Sequence, residues 1–433
     1  MKISNRILLA VLCLTSLPSW AMKEYYSPSR SIRAHGMGGA FYGWSNDEYA
    51  LFYNPAGLSL YSGNGEGGLR VNGSVGSKSL SAISTLTKMG DDNIQTIVDK
   101  LTEYQGTPLF ARAGLLPYYF KKHFAVGLLL ADTKIDFALL GKELNSNAEV
   151  SVFTDSGLYV AYARPLFDPN LHIGATVKGY YRAGGTKSYS LADIAKKASN
   201  SIDPKDIGGA GGGIDADLGA TYILPKLPIG IEHRVSLVFS NLVAANPSIG
   251  KTGANPPKMS RMGSLGWYSV FPGVWKIDNF HLLIDFAEFN LGGETDSERG
   301  ARTGSVWKHV NIGTEIPIGI MSLRAGLSQG NLSAGLGFNF KIARLDFATY
   351  GEELGYLPGK LTSRRYEVSL MLGWASSPTP PVTAIGFSED VKKIEEIPET
   401  KAKEKKDDPA PVPTQPRKPN ESDESKVDSP QPE

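Results

Sequence analysis

From about residue 66 to residue 374 the chain alternates apolar and polar positions with a period of two, the spacing of a strand whose two faces meet different surroundings. In Met321–Ser328, Met321, Leu323, Ala325 and Leu327 share one face, and Ser322, Arg324, Gly326 and Ser328 the other. In 331–341, Leu332, Ala334, Leu336, Phe338 and Phe340 oppose Asn331, Ser333, Gly335, Gly337 and Asn339. Tyr366, Val368, Leu370, Leu372 and Trp374 oppose Glu367, Ser369 and Gly373. Ile214, Ala216, Leu218, Ala220 and Tyr222 oppose Asp215, Asp217 and Gly219. Similar strands are predicted near 66–76, 109–120, 122–134, 150–164, 171–183, 231–241, 258–271, 274–289, 304–316 and 342–350, about fourteen in all.

The connections alternate in length. Long ones fall near 77–108, 135–149, 184–209, 242–257, 290–303 and 351–363. Short ones fall at Lys121, 166–170, 225–228, Pro272-Gly273, 317–319 and Lys341-Ile342, and only the tight turn at Gln329-Gly330 breaks the parity. A secreted sandwich or solenoid would also alternate along its strands, but neither needs long loops on one side only. A membrane β-barrel has them, together with an even strand count that puts both chain ends on the short-turn, periplasmic side. The expected fold is therefore all-β: a transmembrane antiparallel barrel of about fourteen strands. The apolar face would meet lipid and the polar face would line the lumen. Asp215, Asp217, Arg324, Arg344 and Asp346 are then lumen-facing charges, expected to pair with one another, with ligand binding as the second reading. Trp267, Tyr268, Trp275, Trp307, Tyr366 and Trp374 fall at or near predicted strand ends, where an interfacial aromatic girdle would lie.

The flanks differ from the middle. Lys2 and Arg6 precede the apolar run Ile7–Leu17, and Ser19-Trp20-Ala21 offers small residues at a cleavage site, so residues 1–21 read as a signal peptide. That directs the chain to export, with cleavage near Ala21, and together with the barrel it gives the outer membrane as the expected location. The single cysteine, Cys13, lies in this segment behind Leu12, a poor lipoprotein signal, and the processed chain would have no thiol for a disulfide, a metal or nucleophilic catalysis. Residues 22–65 are rich in Gly, Tyr and Asn without sustained periodicity, and residues 66–374 form the barrel. Residues 375–433 mix both charge signs with many prolines and lack aromatics beyond Phe387; they are expected to be a disordered periplasmic tail. The tail reads either as an inert solvated extension or as a docking arm for an envelope protein. A formal net charge of +1 over 433 residues excludes electrostatic binding of nucleic acid.

The segment before the first strand carries a motif. Gly36-Met37-Gly38-Gly39-Ala40 is followed by Asn46-Asp47-Glu48-Tyr49-Ala50 and then by Phe52-Tyr53-Asn54-Pro55-Ala56-Gly57-Leu58. Taken alone, a Gly cluster permits close backbone approach and Asn-Pro-Ala-Gly is turn chemistry. In order and spacing, over residues 31–60, the segment resembles the start of the FadL and PorV superfamily of outer-membrane barrels, which opens with a "GxGGA" stretch, an acidic patch and an "NPAG" turn. The resemblance implies that residues 22–65 form a hatch in the lumen, with Asn54, Pro55, Ala56 and Gly57 at its turn and Gly36, Gly38 and Gly39 in its glycine stretch. It also implies passive uptake of hydrophobic, fatty-acid-like molecules, by way of a lateral opening at a strand kink that the sequence does not locate. PorV-like relatives instead serve protein secretion or conjugation, so a non-transport partner is the alternative. The strand ending at Trp374 resembles the aromatic-terminated final strand that guides assembly machinery, although family barrels usually stop there and this chain continues.

Catalytic motifs dissolve on inspection. Gly326-Leu327-Ser328-Gln329-Gly330 fits G-x-S-x-G but joins two strands, and Gly63-Asn64-Gly65-Glu66-Gly67-Gly68 precedes a strand instead of following one. The six histidines, 35, 123, 172, 233, 281 and 309, show no metal-ligand spacing, so neither cofactor nor metal is expected, and no Ser–His pair suggests an outer-membrane phospholipase. Ile94, Ile97, Val98, Leu101 and Tyr104, and again Leu191, Ile194, Ala195 and Ala198, have helical spacing in two long loops; they read as rim packing or as an external apolar groove.

Overall fold

The computed structural model describes residues 27–79, 81–82, 84, 103–104, 106–140, 147–190, 207–227, 231–274, 277–291, 305–340, 342–355 and 357–375. All lie in one compact unit, Met1–Ile385; the remaining unit, Gly386–Glu433, contains no described residue. Fifteen strands form a single antiparallel sheet: β1 (Glu66–Gly76), β2 (Leu109–Lys121), β3 (Phe124–Leu140), β4 (Asn147–Leu166), β5 (Asp168–Ser190), β6 (Gly209–Ile223), β7 (Glu232–Ser240), β8 (Ile249–Thr252), β9 (Met262–Val274), β10 (Ile277–Asn290), β11 (Val310–Ile318), β12 (Met321–Ser328), β13 (Asn331–Asn339), β14 (Ala343–Glu353) and β15 (Thr362–Ala375). The short β8 is appended to β6. The other fourteen close into a barrel, with β1 paired to β15 from Glu66↔Ala375 to Gly76↔Arg365 and β5 paired to β6. Closure leaves no terminal edge strand, the condition hydrocarbon imposes on a spanning sheet. Among the described residues, no helix is long and apolar enough to cross a membrane.

The burial pattern is inverted relative to a water-soluble protein. Ile214 is 60% exposed while Asp215 beside it is 1% exposed. The same contrast separates Leu370 from Ser369 and Ile312 from Asn311. Apolar residues thus stand outward on successive strands and charged residues stand inward. A wall that exposes Ile, Leu and Val and buries Asp, Glu and Arg suits a membrane-spanning barrel.

Strand positions follow the alternation where one face meets lipid, and depart from it where both faces are polar. β4 and β5 run to 20 and 23 residues, longer than the pattern predicts. Their far ends carry Ser151 and Thr186, whose hydroxyls bond across the ladder at 2.7 Å, and nothing there forces an apolar alternation. The β4–β5 turn is the single residue Phe167, tighter than the predicted 166–170 connection. β8 lies in the stretch 242–257 expected to be loop, and β11 begins at Val310 because 306–309 form a 3₁₀ turn capped by Ser305. Gln329 and Gly330 both have positive φ, 53° and 80°, so the G-x-S-x-G match is a hairpin turn.

The aromatic expectation needs correction. Tyr268 is 1% exposed and points into the lumen, because it adjoins the outward Trp267 and a period of two cannot put both in lipid. Trp267, Tyr366 and Trp374 do face outward, but Trp267 sits in the middle of β9 opposite Ile284, and Trp307 belongs to the 3₁₀ turn. Tyr104, the last position of the first proposed loop helix, is buried against Ala82 and Leu109, and Ala375 ends β15 instead of opening the tail. Trp275, the other residues of the two proposed loop helices, the signal peptide and the tail beyond Ala375 lie outside the described residues.

Two outcomes test this architecture. Leu370→Arg places a guanidinium on the lipid face of β15 and should cost about 2–4 kcal/mol in urea titrations of folding into vesicles. A chain truncated after Trp374 should still give a heat-modifiable band in outer-membrane extracts. Deleting 366–374 should abolish that band, since β15 closes the barrel against both β1 and β14.

Candidate functional site: the filled lumen

The lumen contains the chain's own N-terminal segment. From Ser27 to Leu60 it forms three short turns, α1 (Ile32–Gly36) and the 3₁₀ turns Glu48–Leu51 and Pro55–Leu60, each begun by a side-chain cap: Ser31, Asp47 and Asn54. Nearly every residue from Pro28 onward is buried, and the segment bonds to inward groups of strands around the circumference.

Charge fixes it in place. Arg33 makes a bidentate pair with Glu315 of β11 at 2.9 Å for both contacts, and its third nitrogen reaches Asp47 at 3.0 Å and Asn46 at 3.2 Å. Its guanidinium lies 4.4 Å from the centre of the Trp44 ring. Burial alone would pull the Arg33 guanidinium down, but the carboxylates of Glu315 and Asp47 hold it above its ordinary value, so it stays charged. Glu315 also accepts from Arg324 at 2.5 Å; Arg324 reaches Asp346 at 2.7 Å, and Asp346 meets Arg70 at 3.3 Å. Arg70 contacts Glu48, and Arg344 bridges Glu66 at 3.1 Å and Glu48 at 3.9 Å. The chain of charges thus runs from the segment into the wall and back. Burial pushes the Glu48 carboxyl up to about 7 in spite of the Arg70 beside it.

Carboxylates also cap the segment's backbone. Asp285 of β10 accepts from the amides of Phe41 at 2.6 Å and Tyr42 at 2.8 Å, and Asp132 of β3 accepts from that of Ser29 at 2.7 Å. His35 Nδ1 lies 2.6 Å from Glu367 of β15. On the opposite wall, Ser59 bonds His172 of β5 at 2.7 Å.

The motif residues meet the wall where it is smooth. Gly38 has φ +65°, and a Cβ there would fall 2.7 Å from the amide nitrogen of Leu327. Gly36 faces Gly335, and Cβ atoms on Gly313 or Gly326 would collide with the Met37–Gly38 backbone. Glycines of the segment and glycines of β11, β12 and β13 together permit backbone contact without intervening side chains. Gly39, at φ +78°, adjoins Asn311. Asn54 accepts from the Ala56 amide at 3.1 Å, and its own amide donates to Tyr42 O at 2.9 Å and Thr221 Oγ1 at 3.0 Å. Pro55 and Ala56 rest on Gly174 of β5, and Gly57 lies against the Ser45 carbonyl.

The five charges singled out in the sequence all face inward but do not form one group. Arg324, Arg344 and Asp346 join the network around Arg33 and Glu48, whereas Asp217 pairs with Lys178 at 2.6 Å. Asp215 accepts from the backbone amides of Val243 and Ala244, at 2.9 and 3.1 Å, and meets no cation among the described residues. Arg33, Glu315, Asp285 and Glu367 are the contacts that sequence reading passed over. Their signal was a lone charge among small residues on the polar face of a strand, or inside a motif read for its glycines.

Among the described residues, two cavities of about 20 Å³ lie between the segment and the wall, each with room for about one water molecule. One is lined by Ser29, Arg30, Asn72, Arg112, Leu115 and Leu129, beside an irregularity where β3 shifts register against both neighbours, between Leu115 and Tyr118 of β2 and between its own Leu129 and Asp132. Among the described residues no group of His, Cys, Asp and Glu could hold a metal ion. A Ser–His contact absent from the sequence reading does exist on the outer wall, His233 Nδ1 to Ser269 Oγ at 2.8 Å. Trp267 Nε1 occupies the same serine oxygen at 2.7 Å and no hydrogen-bond partner orients the other imidazole nitrogen, so the pair lacks the arrangement of a catalytic dyad.

No protein-family model matches the chain, and no curated protein matches it. Solved structures similar to it include the Ralstonia pickettii toluene transporter TbuX, at 13% identity and a TM-score of 0.43 over 80% of this chain and 99% of that one. The CymD monoaromatic hydrocarbon channel has 13% identity and a TM-score of 0.46 over 79% and 97%. A Pseudomonas aeruginosa FadL homologue has 10% identity and a TM-score of 0.32 over 82% and 100%.

The charge network makes two predictions for hydrogen-exchange protection factors across 31–60. Arg33→Ala strips Glu315 of a buried partner and should loosen docking by about 3–5 kcal/mol, the ordinary cost of breaking a buried pair. The docked segment, with the Glu48 carboxyl raised to about 7, binds more protons than an undocked one whose carboxyl titrates near its ordinary value of about 4.3. Lowering the pH from 8 to 6 should therefore raise protection, and Glu48→Gln should flatten the dependence.

Proposed function

We propose that the protein is an outer-membrane barrel for passive uptake of hydrophobic small molecules, with residues 22–65 as the hatch. The observation that carries this reading is the filled lumen. A polar solute needs a continuous water path, and the buried segment from Pro28 to Leu60 stands in the part of the lumen that the described residues line. A hydrophobic solute already dissolves in the bilayer and needs only a way through the wall. The resemblance over 31–60 supports the same reading, and the register shift in β3 beside a lumen cavity is where a lateral exit would lie. Opening requires the segment to move, and its ion pairs and glycine contacts are the bonds to be exchanged. Asn54–Gly57 would act as the turn that anchors it to β5 and β6.

A PorV-like role as a partner of secretion or conjugation machinery is the second reading, because a sealed barrel needs no cargo and the tail would supply an arm for an envelope protein. Assembly machinery and outer-membrane lipid would be partners in either case.

Purified protein should carry a co-purifying lipid or detergent tail by mass spectrometry and should conduct ions poorly in planar bilayers. Large, steady conductance would sink the sealed-lumen argument. A stoichiometric protein cross-linked in native membranes, with no bound lipid, would favour the second reading.

A further inference from the structure

Every buried arginine but one among the described residues faces a carboxylate. Arg33, Arg70, Arg182, Arg324 and Arg365 each stand within ion-pair distance of an Asp or Glu. Arg234 does not. It is the third residue of β7, is 3% exposed, and points into the lumen near the short-turn end. Among the described residues its guanidinium has neither an ion pair nor a hydrogen bond, and its Nε is buried without a partner. It lies against the ring of Tyr268, 5.1 Å from the centroid, and a ring face attracts a cation far less than a carboxylate does. Glu232, two positions back on the same face, meets Lys226 at 2.9 Å instead.

A second buried donor faces the same region. The Nδ1 of His172, on β5, is 2.7 Å from Ser59 Oγ of the N-terminal segment, and its Nε2 has no partner. The Pro169 carbonyl lies beside the ring, outside the geometry of a hydrogen bond to Nε2. The registers bring the two side chains together. His172 stands opposite Thr221 of β6, Thr221 opposite Ser236 of β7, and Arg234 is the next inward residue of β7. The charges acting on His172 are positive: Arg234 first, then His123 and Lys122 of the β2–β3 turn. With Ser59 donating to Nδ1, the imidazole carries its proton on Nε2 and offers it to the space that Arg234 enters. Water accepts from such donors but does not cancel a buried charge. The group that completes this corner is an anion.

We infer that Arg234 and His172 hold a phosphate-class oxyanion at the short-turn mouth of the barrel. A guanidinium and a second donor from another strand approach from two directions, which suits the diverging oxygens of a tetrahedral ion better than a flat carboxylate. Both residues face the lumen and not the lipid, so the ion comes from the aqueous compartment at that mouth and not from a headgroup in the wall. Asn54 bonds Thr221, the wall residue between the two donors, so the ion lies next to the Asn54–Gly57 turn. It reaches the N-terminal segment through His172 and Ser59, and its binding stabilises the docked segment as any ligand stabilises the state it prefers. The site requires no cargo, and it stands or falls separately from the uptake reading.

The test uses the full-length chain in an uncharged detergent at low ionic strength, where screening is weakest. Equilibrium dialysis against radiolabelled inorganic phosphate should show a single saturable site per chain. Arg234→Met keeps the side-chain length, removes the charge, and should weaken binding at least tenfold. Arg164→Met, on the exposed short-turn surface, should leave binding unchanged. Thermal unfolding supplies a readout that a merely structural arginine would not move: phosphate should raise the midpoint of the native protein and not that of Arg234→Met. Should Arg234→Met fail to fold, His172→Leu removes the second donor and carries the same comparison. Absence of phosphate binding by the native protein, or equal binding by the variants, overturns the site. Displacement of phosphate by laurate at about a tenth of the concentration needed with acetate would assign the corner to an amphiphile's headgroup and overturns it as well.

Discussion

Everything inside this barrel depends on neutralising charge that the wall has turned inward. A spanning sheet must give lipid its apolar face, so the other face collects the Asp, Glu, Lys and Arg residues of the strands. In an open pore, water would solvate them. Here the lumen is filled by protein, and each charge needs a partner with fixed geometry. The N-terminal segment supplies many of those partners: Arg33 for Glu315, Glu48 for Arg70 and Arg344, and backbone amides for Asp285 and Asp132.

That arrangement makes the segment's position specific without making it permanent. Apolar packing would fix it less directionally; ion pairs and amide caps select one docking geometry, because a displaced segment would strand several buried charges at once. They can also be exchanged in sequence if water enters. The glycine contacts act in the same direction. Where Gly36 and Gly38 lie on Gly335 and Gly326, two backbones touch with no interlocking side chains to disengage. Beyond the end of β7 at Ser240, Asp217 and Asp215 likewise accept backbone amides, those of Asn241, Val243 and Ala244.

Most of the wall was legible along the chain because lipid enforces a period of two on every strand that crosses it. Tyr268 shows how strict the rule is: an aromatic next to Trp267 has to turn inward, and assigning both to the interface ignored the pleat. Where strands rise above the membrane the rule lapses, and the far ends of β4 and β5 and the whole of β8 went unread for that reason.

The sequence by itself determined the barrel, its strand number and the side on which the loops are long. Each of these follows from a one-dimensional pattern, alternation or spacing, that lipid and turn chemistry impose locally. Only the tertiary structure decided which charge meets which. Arg33 and Glu315 are 282 positions apart, and His35 and Glu367 are 332 apart. No periodicity encodes such pairs, since they depend on how closure of the sheet at β1 and β15 and the path of 27–60 through the lumen bring distant residues together. Closure is a property of the whole sheet, and the pairing of charges within it is settled only once the sheet has closed.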